Sequence, residues 1–168
     1  LKSRQSPDGQ WAYPPADNRP PICSDSIGQT ALSMRALQLY APKTDKAAYD
    51  DAIQRAGAWM AKARPRVTDD RSWLLLGLAW AAKDKSATQD AMSELLAIQR
   101  ADGGWSDIDT MDSSAYATGK ALYALKIAGV AESDAAYARG VTYLLSTQQE
   151  DGSWFVKSRA MTLQPYFD

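Results

Sequence analysis

The 168-residue chain has no histidine and a single cysteine. That removes His-based general acids and bases, Ser-His and Cys-His nucleophile pairs, and His-containing zinc sites. Three aspartates, Asp25, Asp70 and Asp112, each stand just ahead of an apolar segment. The first chemistry open to a carboxylate there is capping, because its oxygens accept the backbone N–H groups that a first helical turn leaves unpaired. Asp69, Asp70 and Arg71 together read as a solvated helix start with a local ion pair, contributing about 0–1 kcal/mol if exposed. Four aromatics at helical spacing, Trp73, Trp80, Tyr116 and Tyr123, offer π faces, and their ordinary role is core. Cys23 cannot close an internal disulfide and reads as a small buried hydrophobe.

The elements that must position these residues are punctuated by a repeated heptapeptide. Gln5-Ser6-Pro7-Asp8-Gly9-Gln10-Trp11, Gln99-Arg100-Ala101-Asp102-Gly103-Gly104-Trp105 and Gln148-Gln149-Glu150-Asp151-Gly152-Ser153-Trp154 all read Gln-x-x-Asp-Gly-x-Trp. The tryptophans stand 94 and 49 residues apart, so a copy without its punctuation lies in the longer gap. Periods of this length belong to architectures in which one supersecondary unit stacks on the next. Asp-Gly is a turn dipeptide, Gln brings an amide to a helix terminus, and Trp covers that end with an apolar ring. The heptapeptide therefore locks two helices together.

Between the turns the pattern is helical throughout, with no strand-type alternation. Pro14, Pro15, Pro20 and Pro21 mark a loop, after which Asp25 or Ser26 caps a helix to about Tyr40. Further helices are expected from Lys46 to Ala63, Trp73 to Ala82, Thr88 to Gln99 and Asp112 to about Ala128, the last closed by Gly129. Another ends at Leu144-Leu145-Ser146-Thr147-Gln148, matching Leu95-Leu96-Ala97-Ile98-Gln99. The Trp73 to Ala82 segment is apolar nearly all round and belongs inside. Thr68-x-Asp70-x-Ser72 with Gly77 and Ala79 matches Thr110-x-Asp112-x-Ser114 with Gly119 and Ala121, so Arg64-Pro65-Arg66 stands where one turn has degenerated. Each unit is an inner apolar helix followed by an outer amphipathic one. About three and a half hairpins are present in one repeat domain, 1–168, with Ser158 capping the start of the last. The opening at Leu1 and the stop a few residues into a new unit read as a fragment of a larger assembly.

At these turns the sequence resembles the squalene-hopene cyclase, oxidosqualene cyclase and protein prenyltransferase β-subunit superfamily, whose Gln-x-x-x-Gly-x-Trp repeats clamp helix hairpins. The resemblance spans the whole chain and implies an all-α fold, a partial α/α toroid of antiparallel hairpins. Its clamp residues would be Gln5, Trp11, Gln99, Asp102, Gly103, Trp105, Gln148, Asp151, Gly152 and Trp154. It also implies a bacterial cyclase-like protein whose ring encloses an apolar cavity for an isoprenoid or terpenoid, lined here by Trp73, Trp80, Tyr116 and Tyr123.

Cyclases of this family protonate their substrate with the central acid of Asp-x-Asp-Asp-Thr-Ala. Thr110-Met111-Asp112-Ser113-Ser114-Ala115 places Asp112 at that position, with Thr110 and Ser113 where the flanking aspartates would be. Asp112 is thus the candidate proton donor, and no intact acid motif is present. The prenyltransferase branch holds zinc with Asp, Cys and His, whereas this chain has no His and no cysteine other than Cys23, and the complement-type thioester run is also absent. No metal or cofactor is expected.

The near-balanced charge of −1 argues against a nucleic-acid partner. The apolar stretch from Ser72 to Ala82 is too short to span a bilayer. The partner expected is an apolar lipid, with peripheral membrane association of the parent and self-association through the open repeat end as further contacts. The competing reading is a non-catalytic helical-repeat scaffold for protein partners.

Overall fold

The computed structural model describes residues 1–12 and 25–157. Cys23, the proline-rich loop and the Ser158 cap lie outside the described residues. Within them the architecture is all-α: α1 (Ser26–Tyr40), α2 (Lys46–Met60), α3 (Thr68–Ala81), α4 (Lys85–Ala97), α5 (Ala115–Ile127) and α6 (Ala135–Thr147). They pair as the hairpins α1/α2, α3/α4 and α5/α6. Helix α3 also packs on both α1 and α5, so these three form the inner row.

Local chemistry sets the boundaries. Asp25 Oδ1 accepts the Ile27 and Gly28 N–H groups at 2.9 and 3.0 Å and starts α1, as expected. Helix α2 stops at Met60, short of Ala63, because Lys62 and Ala63 N–H turn back to the Trp59 and Met60 carbonyls before Pro65. Helix α3 starts at Thr68, two residues ahead of Asp70, the aspartate expected to begin it. Asp70 is therefore not its N-cap but lies in its first turn, where Oδ2 reaches back to the Arg66 and Val67 N–H groups at 2.9 and 3.3 Å. Helix α5, conversely, starts late: Ser114, not Asp112, caps it by accepting the Ala117 N–H at 3.2 Å. Residues 106–113 are held in a loop instead, by a bridge between Ser106 and Ser113 and a bond from the Ser114 N–H to the Trp105 carbonyl. Gly129, at φ +97°, closes α5.

The core runs through the inner row, with Met34, Leu75, Leu76 and Leu125 sealed against Met60 and Leu95 of the outer helices. Helix α3 buries most of its surface, as its all-round apolar sequence requires.

The heptapeptide turns act as clamps. Gln99 Nε2 donates to the Gly103 carbonyl at 2.8 Å and to the Ala136 carbonyl of α6 at 2.7 Å. Gln5 Nε2 repeats this on Gly9 (2.9 Å) and on Ala52 of α2 (2.8 Å). Gly103, at φ +86°, lies so close to α6 that a Cβ would stand 2.7 Å from the Arg139 carbonyl oxygen. Gly9 presses on Arg55 in the same way. Each indole N–H donates to the carbonyl ten residues back: Trp11 to Leu1, Trp105 to Leu95 and Trp154 to Leu144, at 2.8–2.9 Å. The copies differ in completeness. Arg139 donates to Gln99 Oε1, whereas Arg55 turns to Asp51 and Gln5 Oε1 is buried with no described partner. At the third turn Gln148 Nε2 bonds, among the described residues, only to the Gly152 carbonyl, and Trp154 is 39% exposed against 0% for Trp105.

Candidate functional site

The four aromatics lie as two pairs on the adjacent inner helices α3 and α5, and Lys120 stands between Trp73 and Tyr116. Trp73 and Trp80 are seven residues apart on α3, and Tyr116 and Tyr123 are seven apart on α5, so each pair lies along one helix face. Trp73, Trp80 and Tyr116 are half-buried, and Tyr123 is 53% exposed. The Trp73 ring fits against Gly28 of α1, where a Cβ would stand 2.7 Å from Cδ1. Gly119, in the same stripe of α5, has open space where a Cβ would go. Leu32 and Leu39 of α1 and Ile127 of α5 add exposed apolar side chains to the inner row.

Two cations lie on this face that the sequence reading did not single out. Lys120 Nζ stands 4.1 Å from the Trp73 ring centroid and 5.7 Å from that of Tyr116, and it is ion-paired with Asp69. Arg35 lies 5.4 Å from the Trp80 ring centroid. The signal was available as a single basic residue inside an otherwise small or apolar helical stripe, Tyr116-Gly119-Lys120-Tyr123 on α5.

Below the aromatics is a buried polar cluster at the N-terminal ends of the inner helices. Asp69, Asp70 and Asp107 are all at most 5% exposed. This corrects the expectation of a solvated helix start: α5 lies over the α3 terminus, and the Tyr116 hydroxyl donates to Asp69 Oδ1 at 3.3 Å. Burial pushes the Asp69 carboxyl up and the Lys120 ammonium down from their ordinary values, each against the pull of the other. Desolvation therefore outweighs the attraction, as is common for buried pairs. Next to them, burial and a hydrogen bond shared with Asp70 push the Asp25 carboxyl up to about 7, although it caps α1. Two carboxyls in contact in a dry setting share a proton, because both cannot be charged cheaply.

Asp112 lies elsewhere. It is exposed, it precedes α5, and its charge is felt by Tyr143 of the outer helix α6. Among the described residues no three His, Cys, Asp or Glu side chains gather so as to hold a metal ion. None of the described helices is long and apolar enough to cross a membrane.

The sequence relations agree with this architecture. Residues 43–146 match the model of the squalene-hopene cyclase N-terminal domain. The squalene–hopene cyclase of Zymomonas mobilis subsp. mobilis is similar to this chain at 36% identity over 90 residues, covering 47% of the chain. The matched region spans 14% of that relative's length. From the clamped hairpins and the family match together, the chain belongs to the squalene-hopene cyclase N-terminal domain family.

Proposed function

We propose that these hairpins are one repeat domain of a larger toroid, and that its inner face binds an apolar isoprenoid or terpenoid chain. The observation that carries the reading is the aromatic face of α3 and α5, flanked by exposed Leu32, Leu39 and Ile127. Contiguous exposed apolar surface on a folded protein marks an interaction site. The family relation supports a lipid as the ligand, since the Zymomonas protein is by name a squalene–hopene cyclase. The role assigned here is binding and not cyclisation, because the acidic groups near the aromatics are engaged in caps and an ion pair.

The test is incubation with squalene and with farnesol, repurification, and mass spectrometry of the extracted lipid. Unchanged lipid retained in proportion to protein supports the reading. Cyclised product would mean that the chain is catalytic, and no retention would sink the lipid assignment.

A second reading, a scaffold for a protein partner that includes a second copy of the chain, draws on the other side of the stack. There Val141 and Leu145 of α6, Trp154 and Phe155 are exposed. Concentration-dependent association by analytical ultracentrifugation, without lipid retention, would favour it.

A further inference from the structure

The strongest unexplained group on the inner face is Arg35. It is half-buried and has no carboxylate partner among the described residues. Its position is nonetheless fixed from two sides. Nη1 donates to Gln38 Oε1 at 3.0 Å, Gln38 Nε2 donates to the Trp80 carbonyl at 2.9 Å, and the guanidinium lies over the Trp80 ring. A half-buried guanidinium held by a side-chain network, whose one bond among the described residues is to Gln38, is organised to receive a planar or tetrahedral oxyanion through charge-assisted bonds. On α1, Leu32 and Leu39 flank Arg35 on the same helical side, at 49% and 55% exposure. Lys120, the other cation on this face, is already neutralised by Asp69.

We propose that Arg35 is a headgroup anchor, and that the inner face takes an apolar chain carrying an oxyanion, as in a prenyl phosphate, with the chain laid along Leu32, Leu39 and Trp80. This rests on the reading of the inner face as a lipid-binding surface and adds its headgroup specificity. The aromatic under Arg35 contributes by covering one face of the planar fork and keeping it partly dry, which strengthens the bonds it makes to an anion.

Calorimetric titration of the full chain with farnesol, farnesyl phosphate and inorganic phosphate tests it, with Arg35→Gln, Arg35→Lys and Lys62→Gln as variants checked for helicity. Farnesyl phosphate should bind about tenfold or more tighter than farnesol, as a charge-assisted contact implies. Arg35→Gln should erase that preference, bringing the farnesyl phosphate affinity down to that of farnesol. Arg35→Lys, with the charge but not the fork, should keep part of it, and loss of the exposed Lys62 should not alter it. Equal affinity for farnesol and farnesyl phosphate, or a preference that survives Arg35→Gln, would overturn the anchor but leave the lipid face standing. Inorganic phosphate binding as tightly as farnesyl phosphate would make this a free-anion site and overturn the amphiphile assignment. If neither prenyl compound binds, the lipid face itself fails and the anchor with it.

Discussion

The backbone N–H of Trp105 donates to the Thr118 hydroxyl at 2.9 Å, which ties the turn after α4 to the inner helix of the next hairpin. Trp11 makes the same bond to Thr30 of α1 at 2.9 Å. With the glutamine amide reaching the outer helix and the tryptophan backbone reaching the inner one, one heptapeptide grips both members of a hairpin. The third copy makes neither cross-hairpin bond among the described residues.

The clamps should therefore differ in energetic weight. Trp105→Ala removes a fully buried indole and its bond to Leu95, and should destabilise by about 3–5 kcal/mol, as large aromatic truncations do. Trp154→Ala, on a part-exposed ring, should remain below about 1 kcal/mol. Urea unfolding followed by circular dichroism gives both values. Similar losses at the two sites would show that the third turn is gripped as firmly as the second.

The repeat, the hairpins and the row of inner helices were legible in the sequence because each rests on local chemistry: a turn dipeptide, a cap, a period. The Asp25 cap and the end of α1 at Tyr40 came out as read. The starts of α3 and α5 did not. Asp70 and Asp112 look alike in one dimension, yet Asp70 is drawn into the first turn of α3, while the Ser106–Ser113 bridge keeps Asp112 in a loop. The burial of Asp69 was equally hidden, because its cover, Lys120 and Tyr116, comes from a helix some fifty residues on.

Asp25 makes stability depend on pH. Its carboxyl titrates near 7 in the folded chain against an ordinary 3.8, so the folded state holds a proton that the unfolded chain has released. Stability from this group is complete below about pH 4 and falls as pH rises toward 7, levelling above it. Asn at this position still caps a helix and has nothing to ionise. Asp25→Asn should be more stable than the parent at pH 8, by about 1–2 kcal/mol once solvent screening of the half-buried group is allowed for, and the gap should close by pH 4. Thermal unfolding across that range checks it; a gap independent of pH would dismiss the shared proton.

The Asp69–Lys120 pair should behave as a unit. Lys120→Met alone leaves Asp69 buried without its counter-charge and should destabilise by about 3–5 kcal/mol. Asp69→Asn together with Lys120→Met should lose clearly less than the sum of the two single changes. A double-mutant cycle in urea reads the coupling, and strict additivity would mean that the contact carries no net interaction.

The central claim, that the inner row and not the outer helices holds a lipid, is tested most directly by photolabelling. The full chain is irradiated with a diazirine-bearing farnesol, with and without excess unlabelled farnesol, and the modified peptides are mapped by mass spectrometry. The account predicts competed labels on α1, α3 and α5, at Leu32, Trp80 and Tyr123 or their neighbours. Competed labels confined to α2, α4 and α6, or none that unlabelled farnesol displaces, would contradict it.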